Sequence, residues 1–215
     1  VVNSVPPRRP VVVRSRSERE AEGTDLVLIL HGYGSDTDRV SGLFDALPPS
    51  ATGVAIRGPF EMDDDEYGWF LLDWGLRPDL AHVLEAAQHA FTVQDELAPH
   101  HRSVSVAGHS QGMAMATTMM RLRPGRYATG VGLSGFVVDQ PLLDLGGGTE
   151  ADPVPFFWGR DRADLVINPD AQDSAGEWLE ERTRLTARTY PGMGHGIGAE
   201  ELRDVAAFWR LYLGT

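Results

Sequence analysis

The chain has no cysteine and no lysine. Without cysteine there is no disulfide framework, no thiolate nucleophile and no zinc cluster of the Cys/His kind. No apolar stretch approaches the ~20 residues that a bilayer-spanning helix needs. Positive charge is scarce: 19 basic residues, all arginine, face 31 aspartates and glutamates, for a formal net charge of -12. That balance argues against a nucleic-acid or anionic-membrane partner. No H-x-x-x-H pair is present, and the first residues from Val1 carry no signal-peptide pattern. These absences, with arginine-only basicity read as GC-rich coding, set the expectation of a bacterial, cytoplasmic protein without stable membrane insertion, a monomer or homodimer. At 215 residues the chain suffices for one well-buried core and is too short for two ordinary domains.

What is present is a nucleophile motif. Gly108-His109-Ser110-Gln111-Gly112 lies between an apolar β-type run, Ser103 to Ala107, and a helix-type run, Met113 to Met120. This is G-x-S-x-G, the elbow that holds a serine on a sharp strand-to-helix turn. The pentapeptide alone is weak evidence; the strand before it and the helix after it give it meaning. Gly108 and Gly112, lacking Cβ, permit the tight turn and the close approach of helix to strand. The N–H of Gln111 then sits at a helix N-terminus, where free donors favour a developing negative charge. Ser134, in Leu133-Ser134-Gly135, lacks the second flanking glycine and reads as structural.

A serine hydroxyl needs a base, an acid to orient that base, and an oxyanion hole. On this scaffold the chain order is Ser, then Asp or Glu, then His. Downstream of Ser110 the one histidine is His195, in glycine-rich surroundings after a short β-type run. The other histidines have plainer readings: His82, His89, His100 and His101 lie on or just after a helix, and His31 and His109 are internal to motifs. For the acid, Asp164 is favoured because Leu165-Val166-Ile167 would bury and orient its carboxylate. Asp161, between Arg160 and Arg162, reads as a solvated ion-pair residue, and Asp139 is a distant third. The second oxyanion donor is expected from the loop after the Asp25–Leu30 strand, at the N–H of Tyr33, between Gly32 and Gly34.

Together these pieces resemble the α/β-hydrolase superfamily, and within it the small carboxylesterase/phospholipase/acyl-protein-thioesterase-like serine hydrolases. The matching segments are Leu30 to Gly34, Arg57-Gly58-Pro59, Tyr67 to Phe70, Gly108 to Gly112, Leu133 to Phe136, Trp158 to Ile167 and Met193-Gly194-His195. They run in the family's order over nearly the whole chain. The resemblance implies hydrolysis of carboxylic esters or thioesters through Ser110, Asp164 and His195, without metal or cofactor. Two positions depart from the pattern. Met113 stands where a small residue is common, and Asn168 where a proline is usual.

Short apolar strands alternating with helical segments imply an α/β fold with a mostly parallel sheet covered on both faces. Residues 1–8 are expected to be an irregular arm and 9–215 a single hydrolase domain. Strands are expected near 11–13, 26–30, 54–56, 103–107, 129–133, 154–158 and 186–190, and helices over 80–97, 170–184 and 200–213. Gly146-Gly147-Gly148 reads as a surface turn. The stretch from Phe60 to Asp79 reads as a loop that combines aromatics, including Trp69, Phe70 and Trp74, with an acidic run. Gly32, Trp69, Phe70 and Met113 are expected to contact substrate, with the equal alternative that Trp69 and Trp74 simply pack the loop down, and with no room for a large lid the expected substrates are small to medium neutral esters. The alternatives are a lysophospholipase, a thioesterase or an acyltransferase on the same residues, or a silent scaffold that binds a small ligand; covalent labelling separates that last one from the rest.

Overall fold

The structure is a computed structural model that describes residues 10–72, 78–144 and 153–214. The expected arm at 1–8, Trp74 and the Gly146-Gly147-Gly148 turn lie outside those residues.

In chain order the elements are β1 (Val12–Arg14), α1 (Glu18–Ala21), β2 (Asp25–Leu30), β3 (Ala51–Ile56), β4 (Phe60–Asp63), β5 (Glu66–Gly68), α2 (Leu80–Leu97), β6 (Ser103–His109), α3 (Gln111–Leu122), β7 (Gly130–Leu133), β8 (Val154–Arg160), α4 (Pro169–Arg182), β9 (Thr183–Thr189) and α5 (Ala199–Leu213). Short 3-10 turns, Thr37–Arg39 and Ser41–Ala46 among them, fill the connections. Seven strands form one sheet in the order β1-β3-β2-β6-β7-β8-β9. Only β1 runs antiparallel to its neighbour. β4 and β5 pair as a separate hairpin, so part of the expected loop is ordered strand.

Alternation along the central strands divides the core. Leu26, Leu28 and Leu30 pack with α2, α3 and α4, while Val27 and Ile29 face α5 and the 3-10 turn at 41–46. Each face of β2 is thus apolar, which is why Asp25–Leu30 reads as an unbroken hydrophobic run rather than an alternating one. Helix α2 begins where Asp79 caps the Ala81 N–H, and its buried stripe runs through Val83, Ala86, Ala87, Ala90 and Phe91, leaving Leu84 exposed. In α4, Asn168 is the N-cap, its side chain accepting from the Ala171 N–H, and Pro169 takes the first helical position. Both residues favour a helix start.

α5 lies against β8 at Gly159, where a Cβ would fall 2.0 Å from Glu201 Oε1. Glu201 is fully buried and that oxygen has no hydrogen-bond partner. Burial pushes its carboxyl up to about 7, partly opposed by the Gly198 N–H. From the ordinary 4.5 of an exposed carboxyl up to about 7, the folded chain therefore holds a proton that the unfolded chain has lost. Stability is full below that window and falls as pH rises through it. Glu201→Gln, neutral throughout, is expected to melt above the unsubstituted protein at about pH 8 and to lose that advantage towards about pH 4. A difference in melting temperature that ignores pH would contradict the assignment.

Candidate active site

Ser110 stands between β6 and α3 with φ 55° and ψ -120°, a backbone conformation that few non-glycine residues adopt. The glycines around it are needed for contact. A Cβ on Gly108 would lie 2.1 Å from the Gly112 carbonyl, and one on Gly112 would lie 2.0 Å from the Leu30 carbonyl oxygen. The start of α3 is therefore pressed against the end of β2. This brings the Gln111 N–H, at the first turn of α3, beside the loop that carries Tyr33.

Met113 fits behind Ser110 because the opposing strand gives way. A Cβ at Gly132 would fall 2.5 Å from Met113 Sδ, and one at Gly135 would fall 2.5 Å from Met113 Cβ. The larger side chain is thus matched by two glycines.

Three residues far apart in the chain meet at this elbow. The Ser110 hydroxyl donates to His195 Nε2 at 2.9 Å, and His195 Nδ1–H donates to Asp164 Oδ2 at 2.7 Å. Asp164 is 6% exposed, but its neighbours do not bury it in the manner expected: Leu165 is 99% exposed and Val166 55%, with only Ile167 inside. The orientation comes from the backbone instead. Asp164 Oδ1 accepts from the N–H groups of Val166 at 2.7 Å and Ile167 at 3.2 Å, which leaves Oδ2 for the imidazole.

Asp161 is not a solvated ion-pair residue. It is 4% exposed. Arg162 reaches Asp173 at 3.5 Å, and the Arg160 guanidinium lies over the Trp158 ring. The Asp161 carboxylate instead accepts from the N–H groups of Ala163 and Gly194, each at 2.9 Å.

Two further side chains hold the turn that bears His195. His109 Nε2–H donates to the His195 carbonyl at 3.1 Å, and the Ser134 hydroxyl donates to the Gly196 carbonyl at 3.1 Å. Burial, and then the neighbouring His195, lower His109 to about 4, so it remains a neutral donor at neutral pH. Neither role is visible in a one-dimensional pattern, because each partner lies more than sixty positions away.

The Tyr33 loop is held by His31. The Gly58 N–H donates to His31 Nε2 at 2.8 Å, which leaves the ring proton on Nδ1 to donate to the Gly32 carbonyl at 2.7 Å. Burial lowers the pKa of this ring and favours that neutral form. With its carbonyl engaged, the Gly32–Tyr33 peptide is fixed in orientation and its N–H is left unused by the loop's own backbone bonds.

Of the four residues expected to contact substrate, Gly32 lies beside the nucleophile, with a Cβ position 3.2 Å from Ser110 Cβ. Trp69, Phe70 and Met113 are fully buried and offer no surface to a cleft. The reason is the Gln111 side chain. Its Oε1 accepts from the Trp69 N–H at 2.8 Å and its Nε2–H donates to the Phe70 carbonyl at 2.6 Å. Trp69 Nε1–H in turn donates to the His31 carbonyl at 2.9 Å. These aromatics pack the segment down from behind.

The β4–β5 hairpin reaches the same region. Ser35 and Tyr67 exchange backbone hydrogen bonds, and Arg57 donates through Nε and Nη2 to the two carboxylate oxygens of Asp36 while lying over the Tyr67 ring. The exposed Asp63, Asp64, Asp65 and Glu66 at its tip thus stand next to the loop bearing Tyr33. Among the described residues no cluster of three His, Asp or Glu side chains could hold a metal ion, and no helix is long and apolar enough to cross a membrane.

A family model described as phospholipase/carboxylesterase matches residues 10–213. A curated relative, carboxylesterase SOBER1 of Arabidopsis thaliana, is 28% identical over 206 residues, covering 85% of this chain and 88% of that protein. Acyl-protein thioesterase 1 of Kluyveromyces lactis is 24% identical over 208 residues, covering 86% and 90%. The crystal structure of esterase PE8 matches in fold with a TM-score of 0.76 at 24% identity, over 96% of this chain and 100% of that one.

Proposed function

The chain belongs to the phospholipase/carboxylesterase family of α/β-hydrolases, which act on ester bonds, and from that premise we propose a serine carboxylesterase that works through an acyl-enzyme on Ser110. The single observation that carries this reading is the hydrogen-bonded series from the Ser110 hydroxyl through His195 to Asp164, at 2.9 and 2.7 Å.

As Ser110 Oγ attacks the ester carbonyl, His195 Nε2 takes its proton, and Asp164 stabilises the imidazolium without accepting a proton itself. The carbonyl oxygen becomes an oxyanion between the N–H groups of Tyr33 and Gln111. Collapse releases the alcohol, which takes the proton back from His195. Water then repeats the sequence on the acyl-enzyme and frees the acid. The reading takes residues 9–215 as one hydrolase domain and needs no metal or cofactor.

For substrate, the acidic hairpin tip beside the Tyr33 loop favours neutral esters, because an anionic group entering there meets like charge. Small to medium acyl groups suit a site to which Trp69 and Phe70, both buried, lend no apolar wall. A fluorophosphonate should label one site, Ser110, and p-nitrophenyl butyrate should be hydrolysed faster than the p-nitrophenyl hemisuccinate, with the gap narrowing in salt. Failure to label would favour a silent ligand-binding scaffold. A preference for the hemisuccinate would remove the substrate reading and leave the nucleophile.

A further inference from the structure

The turn that presents His195 has an unusual shape for a carrier of a catalytic base. Gly192 and Gly194 both lie in the left-handed region, at φ 83° and 66°. Left-handed residues alternating with ordinary ones turn successive N–H groups towards one side and form an anion-binding nest. In this protein the anion is supplied from 33 residues earlier in the chain, as Asp161 Oδ2 accepts from the Gly194 N–H at 2.9 Å. The preceding N–H, of Met193, donates to the Tyr190 carbonyl at 3.2 Å and closes the turn on its other side.

Asp161 is also tied to the segment that carries the acid. Its Oδ1 accepts from the Ala163 N–H, and its own carbonyl accepts from the Asp164 N–H at 3.2 Å. One residue therefore holds both sides of the His195–Asp164 hydrogen bond. The Gly194 and Ala163 N–H groups keep its carboxyl below the usual carboxylate range, so it is charged at neutral pH.

Resting on the serine-esterase reading, we propose that Asp161 is a positioning residue: a built-in counter-anion whose charge shapes the 192–195 turn and sets the imidazole against Ser110. It touches no substrate and transfers no proton. Its removal leaves the Gly194 and Ala163 N–H groups unpaired and lets the ring drift, and a displacement of about 1 Å at a base costs roughly 10²-fold in rate.

Asp161→Ala and Asp161→Asn are to be compared with the unsubstituted protein on p-nitrophenyl butyrate, with circular dichroism to check folding. Both are expected to lower kcat by roughly 10²-fold with KM nearly unchanged. Sodium formate, small enough to enter the space left in Asp161→Ala, is expected to restore part of the lost kcat, whereas sulfate at equal ionic strength is not. Unchanged kcat in both variants would overturn the proposal while leaving Ser110 as nucleophile, and so would a loss in the alanine variant that formate does not relieve. Should Asp161→Ala not fold, Asp161→Asn decides alone, since a loss falling on KM rather than kcat overturns it. A different result would overturn the assignment of the acid itself: Asp161→Asn reduced by roughly 10⁴-fold with Asp164→Asn nearly active.

Discussion

Ser110→Ala is expected to lower kcat by roughly 10⁶-fold, with the fluorophosphonate label lost at the same time. One oxygen atom is removed from a side chain that is 8% exposed, and the backbone is not asked to change. Alanine meets the same left-handed φ of 55° that serine tolerates, so the elbow is neither relieved nor further strained. The oxyanion donors and the His195–Asp164 pair remain, and a small rate above that of water should persist. The measurement is hydrolysis of p-nitrophenyl butyrate by protein with an unchanged melting profile. Retention of full activity by that variant would place the chemistry elsewhere in the molecule.

Asp164→Asn is expected to cost roughly 10⁴-fold in kcat, with KM little altered. The argument concerns a proton. The asparagine oxygen can keep the N–H groups of Val166 and Ile167 that Oδ1 now accepts. Its amide NH₂ then occupies the place of Oδ2, facing His195 Nδ1. Facing a donor, Nδ1 must offer its lone pair, so the ring proton moves to Nε2. There it confronts the Ser110 hydroxyl, and the base has lost its ability to accept. A loss of less than tenfold would show that the carboxylate does not set the tautomer. Raising the pH should not restore activity, because the defect is a misplaced proton rather than an extra one.

The parts of the fold that could be read beforehand are those where local chemistry and final environment agree. β2 is apolar on both faces and buried on both, and α2 spans the same residues in pattern and in structure. The elbow was legible because its glycines answer to steric demands within a few residues. β3 was read short, as 54–56, since Ala51-Thr52-Gly53 has little apolar weight; it pairs along its whole length with β2. The β4–β5 hairpin was missed because an acidic run hides its alternation.

The site shows the same division. Chain order and glycine context singled out Ser110 and His195 for the residues that now meet, and Asp164 joins them. The grounds for Asp164 were mistaken, since backbone donors rather than apolar neighbours orient it. At Asp161 the two adjacent arginines suggest ion pairs, while its partner lies across the sheet end at Gly194. Aromatics in an irregular stretch suit a pocket wall and loop packing equally, and nothing local decides between the two for Trp69. Burial of the Trp69 and Phe70 rings and the indole bond to the His31 carbonyl place them inward, on a segment that the long-range amide contacts of Gln111 hold.

Those contacts of Gln111 bear on attempts to redesign this enzyme. In the proposed mechanism its main-chain N–H serves the reacting oxygen, while its side chain grips the peptide groups of Trp69 and Phe70. Grafting a foreign segment over positions 69–72 would succeed only if the graft offers an amide hydrogen and a carbonyl at those two points. The graft must also fill the buried places of the Trp69 and Phe70 rings and replace the indole bond to the His31 carbonyl. A transplant that ignores the requirement would retune selectivity and, through the same glutamine, disturb the chemistry it was meant to leave alone.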